Sequence, residues 1–171
     1  MIAMVAGSWA QDAPQEEAKA DKTEVTATSD AEGQVVDQLK KATFISGTPN
    51  TSAHYYIILY SASWCGPCNM EAPKVVDLYN NQITADADVE LIMANCDHSA
   101  DAATAWAKKM GMKFPILTEE EWQKIDVIAQ NAPRGIPTAV LVDAQGKVLV
   151  PKARPTGCFD YYVRACKNEA K

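Results

Sequence analysis

No stretch of this 171-residue sequence approaches the roughly 18 consecutive apolar residues that a membrane-crossing helix needs. Positive charge is scarce: 16 Lys and Arg stand against 22 Asp and Glu, for a net charge of −6. That balance supplies no basic face for nonspecific nucleic-acid binding. Histidine is scarcer still, with only His54 and His98, and neither has ligand spacing. There is one Cys-x-x-Cys pair and no second, so a four-ligand zinc site lacks its other half. No internal repeat is visible. Apolar residues make up 47%, ordinary for a globular chain, and the length suits one domain plus a tail.

The acid is unevenly spread. Residues 11–33 hold seven acids and two lysines, and their one large apolar residue is Val25. Such a segment cannot bury enough surface to offset its ordering entropy, so it reads as an acidic flexible linker. Residues 1–10, "MIAMVAGSWA", are apolar and end Ser8-Trp9-Ala10, with small residues where a signal peptidase reads. They read as the remnant of a secretory signal without its basic n-region, hence export to an extracytoplasmic or periplasmic space. The competing reading is a terminus of accidental hydrophobicity.

From Gln34 onward helical and extended patterns alternate, defining a domain over residues 34–171. Val35, Val36 and Leu39 suggest a short helix, and Thr43–Ser46 a strand. "HYYIILYS" (54–61) and "VELIMAN" (89–95) are continuous apolar runs suited to strands buried on both faces. A helix beginning near Gly66 places Ala72, Val76, Tyr79 and Ile83 on one face, with a kink expected at Pro73. Another carries Ala103, Trp106 and Met110 and stops at Gly111. A single further helix, opened by Thr118, carries Trp122, Ile125 and Ala129. Thr138–Val150 reads as a hairpin about Gln145-Gly146, and the last helix presents Phe159, Tyr162, Val163, Cys166 and Ala170. The fold class is therefore α/β: a central mixed sheet with helices on both faces, ending in a β-hairpin and helix. In such sheets a site sits at the carboxyl ends of the parallel strands.

At that end, from Ser61 to Pro73, runs "SASWCGPCNMEAP". Thiol–disulfide exchange needs a thiolate as attacker. Cys65 would lie at a helix start, where free N–H groups and the helix dipole favour the anion. Cys68, one turn further in, is near enough to close a short-loop disulfide. Cys65 is the expected attacker and Cys68 the resolving thiol. Pro67 stiffens the loop, and Gly66 lets a partner's backbone approach.

"WCGPC" together with "RGIPT" (134–138), just before a strand, resembles the thioredoxin superfamily over residues 34–171. The resemblance implies a thioredoxin fold with Ile136–Pro137 as a cis peptide facing the cysteines. Pro137 would then keep metals and wrong partners away, and the Ile136 backbone would pair with a bound peptide. From the residues alone, "GIPT" is only a turn before a strand. "YSASWCGPC" is similar to tryparedoxin and nucleoredoxin sequences. "CNMEAP" is similar to exported TlpA-like proteins, where a glutamate at the position of Glu71 tunes the cysteine pair. Cytoplasmic thioredoxins carry a buried aspartate six residues before the first cysteine, and here that position is Leu59. Glu71 is then the nearest candidate proton acceptor, unless it is simply an exposed helix residue. Trp64 is expected to border the site as a contact surface, or else to pack in the core.

The resemblance implies an oxidoreductase, a reductase by its Gly-Pro dipeptide, without cofactor or metal. It would act on protein disulfides and be recharged by an external thiol donor. Two rivals share the fold. A thiol peroxidase would carry a Thr-x-x-Cys arrangement, which is missing. A non-catalytic binding module would use the groove alone. Three cysteines remain. Cys166 reads as buried and inert, Cys158 as too far along one helix to bridge to it. Cys96 ends a strand at the CGPC edge, with Asp97 and His98 expected to cap the next helix.

Overall fold

A computed structural model describes residues 34–167. The signal remnant, the linker and Ala170 lie outside those residues. The strands are β1 (Phe44–Ser46), β2 (Tyr55–Ser61), β3 (Val89–Asn95), β4 (Ile116–Leu117), β5 (Thr138–Asp143) and β6 (Val148–Ala153). The helices are α1 (Gln34–Lys41), α2 (Gly66–Leu78), α3 (Ala100–Met110), α4 (Glu119–Trp122), α5 (Asp126–Gln130) and α6 (Pro155–Tyr161). One π turn, Tyr79–Ile83, extends α2, and another, Tyr162–Cys166, extends α6.

The strands form one six-stranded sheet in the order β1-β4-β3-β2-β5-β6. β2 pairs parallel to β3, with Ser61 opposite Asn95, and antiparallel to β5, with Tyr60 opposite Thr138. The carboxyl ends of β2 and β3 therefore meet the amino end of β5 at one edge. Segments 62–68, 96–99 and 134–137 converge there. The N–H of Cys96 donates to Ser61 O at 2.8 Å and closes the β2–β3 seam at that edge.

Successive strand residues point to opposite faces, and both faces of β2 are covered. Ile57 and Leu59 join Leu91, Met93 and Leu141 against α2, Trp106 of α3 and Phe159 of α6. Tyr56, Ile58 and Tyr60 join Ile92 and Val142 against α1, Trp122 and Ile128. Each such aliphatic or aromatic side chain contributes about 1.5–3 kcal/mol on leaving water. The buried Tyr60 hydroxyl donates to Ile128 O at 2.6 Å, and its ring meets Trp122 edge-on at 5.9 Å. α3 ends at Gly111, whose φ of 69° is left-handed.

Four local expectations are corrected. β4 was not anticipated, because two residues show no period; it lies between β3, to which it is parallel, and the antiparallel β1. The helix expected after Thr118 is two, since Ile125 is extended (φ −101°, ψ 107°) and starts α5. That break buries Val127 and Ile128 in place of Ala129. In α2 the buried face carries Val75 rather than Val76. In the last helix Cys158 is fully buried, while Cys166 is half-buried beyond the start of a π turn.

Candidate active site

Cys65 caps α2. Its backbone is extended (φ −86°, ψ 113°), and its sulfur accepts the N–H of Cys68 at 3.3 Å. Cys65 and Cys68 are joined as a disulfide, with Cα atoms 5.2 Å apart. Pro67 falls in the first turn, where a missing N–H costs no helical bond. Gly66 is exposed, and a Cβ there would meet nothing within 4 Å, so the space over the pair is open to a partner. On reduction, a thiolate at Cys65 would face the free N–H groups of a helix start, a setting that favours the anion.

The Ile136–Pro137 peptide is cis. Cys65 Sγ lies 3.6 Å from Ile136 O, within reach of a bond from the reduced thiol. Behind the pair, Leu59, Cys68, Glu71 and Pro137 line a cavity of about 10 Å³. That is about the room of one water. Its walls are mostly apolar, and Glu71 brings the carboxylate, from the helix rather than from the strand position held by Leu59. Glu71 is neither exposed nor unpartnered: its carboxylate is ion-paired with Arg154. A larger open cleft of about 420 Å³, between α1, α5 and the β5–β6 turn, shares no residue with the cysteines.

Trp64 is 64% exposed beside the disulfide, with its indole N–H donating to Cys96 O at 3.3 Å. Met70, 74% exposed, was not singled out in the sequence and adds apolar surface further along α2. The expected cap at Asp97 and His98 is corrected. Ser99 caps α3 through Ala102 N–H, and His98 lies 3.7 Å from Glu119. Asp97 is instead buried under the redox loop and accepts from Ser63 N at 3.0 Å and Ser63 Oγ at 2.7 Å. Burial pushes the Cys96 thiol up to about 11 and the Cys158 thiol up to about 12. Among the described residues, no group of three or more His, Cys, Asp or Glu side chains is placed to hold a metal ion.

A mixed sheet with a capped Cys-Gly-Pro-Cys helix facing a cis-proline defines the thioredoxin fold. Tryparedoxin II from C. fasciculata superposes with a TM-score of 0.61 at 23% identity, covering 82% of this chain and 99% of that one. StoA from Bacillus subtilis superposes at 0.52 with 18% identity, covering 64% and 82%. The chain matches the AhpC/TSA family over residues 9–150 and belongs to it. Among curated relatives, the thiol-disulfide oxidoreductase ResA of Bacillus thuringiensis is 32% identical over 87 residues, 51% of this chain and 47% of that one. Nucleoredoxin of Bos taurus is 26% identical over 98 residues, 57% and 22%. The chain thus spans half or less of the length of these curated relatives. Within the thioredoxin superfamily it is similar in sequence to ResA and in fold to tryparedoxin II.

Proposed function

We propose that this protein is a thiol–disulfide oxidoreductase acting on protein disulfides, as a reductase, outside the cytoplasm. The Cys65 thiolate attacks one sulfur of the client disulfide and displaces the other as a thiolate, which takes up a proton. Cys68 loses its proton, for which Glu71 is the nearest candidate acceptor, and attacks Cys65 Sγ. The second client thiol leaves, and Cys65–Cys68 is oxidised to the disulfide. Two electrons have passed to the client, and an external dithiol donor returns them. Trp64 and the Ile136 backbone hold the client chain, while Gly66 leaves room for it and Pro137 shields the pair. The observation that carries the reading is a bonded Cys65–Cys68 pair at a helix start, with Cys65 against Ile136 O. The sequence of residues 1–10 supports export.

The test is insulin reduction with a thiol donor, run beside a peroxide-consumption assay. Insulin should be reduced and peroxide consumption should be negligible. Cys68→Ser should accumulate a client joined covalently through Cys65, and Cys65→Ser should not. A Cys68→Ser protein that binds clients without any covalent adduct would mark a binding module.

A further inference from the structure

The loop between β2 and α2 is gripped by a side chain that neither the redox pair nor its cis-proline explains. Asn69 follows Cys68 directly. Its Nδ2 donates to Ser63 O at 2.7 Å and to Cys65 O at 3.0 Å, and its Oδ1 accepts from the indole N–H of Trp106 at 2.8 Å. Both amide protons and one lone pair are used. Turning the amide over would face an oxygen to two carbonyls and an NH₂ to an indole N–H. The chemistry of the partners therefore fixes its orientation.

The anchor is rigid. Trp106 is 4% exposed, belongs to α3 and packs in the core beneath the site. From the other side Asp97 holds Ser63 by its N–H and its hydroxyl, and Asn95 Nδ2 holds Asp97 at 3.0 Å. Ser63 is thus fixed through both its N–H and its C=O, two residues before the first cysteine. The bond to Cys65 O adds to the first helical bond there, from Asn69 N at 3.0 Å. A carbonyl that accepts strengthens the N–H across the same peptide group. For the carbonyls of Ser63 and Cys65, those N–H groups belong to Trp64 and Gly66.

We propose that Asn69 is a positioning residue for Cys65. Anchored on Trp106, it holds the carbonyls of Ser63 and Cys65 so that the sulfur keeps its place at the helix start, facing the Cys68 N–H. The inference rests on the reading of Cys65 as the attacking thiol. An aspartate at residue 69 would retain the indole contact but oppose both carbonyls and bring a negative charge beside the thiolate. An alanine would lose all three contacts.

The experiment follows alkylation of Cys65 by iodoacetamide against pH in the reduced full chain. Peptide mass separates the Cys65–Cys68 segment from the other cysteines, and fragment-ion masses separate Cys65 from Cys68 within it. Asn69→Ala should move the midpoint upward and slow alkylation at pH 7 by about 3- to 10-fold, since only part of the three lost hydrogen bonds bears on the sulfur. Asn69→Asp should slow it more. Trp106→Phe should act in the same direction as Asn69→Ala but less, since the amide keeps its carbonyls and loses only its anchor. Superimposable alkylation profiles for wild type, Asn69→Ala and Asn69→Asp would overturn the proposal, and a lowered melting temperature alone would make Asn69 purely structural. If Asn69→Ala does not fold, Asn69→Asp and Trp106→Phe decide. Insulin reduction by the wild type is read separately. Shifted profiles without wild-type turnover would sink the catalytic reading and leave the positioning role standing.

Discussion

Glu71 in the second turn of α2 is ion-paired with Arg154, the residue that precedes α6. The pair ties the resolving half of the site to the end of the hairpin. Arg154 is more than half exposed, so its loss should cost under about 1 kcal/mol of stability. The kinetic effect of Glu71 should be larger. If its carboxylate receives the Cys68 proton, Glu71→Gln should slow release of the mixed disulfide by about 10- to 100-fold and leave its formation unchanged. Arg154→Ala keeps the carboxylate and should slow release less. Rapid-quench single turnovers separate the two steps, and an unchanged release rate in Glu71→Gln would remove Glu71 from the proton path.

Glu90 gives a prediction about pH. It is buried on β3, and burial raises its carboxyl above 4.5, against the lowering effect of bonds from Asn50 N, Leu91 N and Tyr79. An acid raised in the folded state favours folding most fully at a pH below its unfolded value. That contribution is lost as pH rises through the folded value. Glu90→Gln removes this titration. The melting temperature of Glu90→Gln relative to wild type should therefore climb from pH 4 upward and then level off. A difference that stays flat across the range would show that Glu90 does not titrate differently on folding.

Cys96 and Cys158 should be silent. With thiols held near 11 and 12, Cys96 and Cys158 carry almost no thiolate at pH 8. In the reduced native protein, alkylation should reach Cys65 first, and Cys158 only after unfolding. Cys158→Ser places a hydroxyl among apolar side chains and should cost about 1–3 kcal/mol in urea unfolding. Rapid native labelling of Cys158 would contradict its burial.

Gly47 and Gly111 share a left-handed φ, 67° and 69°, but not their surroundings. A Cβ on Gly111 meets open space, whereas one on Gly47 would lie 2.6 Å from Pro115 N and 2.7 Å from Phe114 C. Gly111→Ala should cost about 1–2 kcal/mol of backbone strain. Gly47→Ala should cost about 1–3 kcal/mol more, because β1 is pushed off the segment leading into β4. Denaturant midpoints for the two proteins should differ in that order.

The parts legible in the sequence were those with local causes. The β2 run, the capped cysteine and the glycine stop of α3 are each set by a few neighbouring residues. "RGIPT" was read through its resemblance, and the cis Ile136–Pro137 bond follows that reading. What escaped depends on distance along the chain or on turn geometry. Arg154 meets Glu71 from 83 residues away. Trp106 reaches Asn69 from 37. Asp97 resembled a helix cap until its place under Ser63 was known. The last stripe assumed 3.6 residues per turn: Phe159 and Tyr162 are buried as it required, but beyond the wider π turn from Tyr162 the residues Val163 and Cys166 are only partly buried.

The site is split along the chain: the cysteines emerge early, and the strand that completes their surroundings emerges late. β5 is laid against β2 only after about 70 further residues, which at about 5–20 residues per second of synthesis is roughly 4–14 seconds. During that interval Cys65 and Cys68 lack β5 behind them, and Cys96 joins the same nascent chain before β5 does. The order of emergence therefore makes the newborn protein a potential client of thiol exchange before it can act as an agent of it.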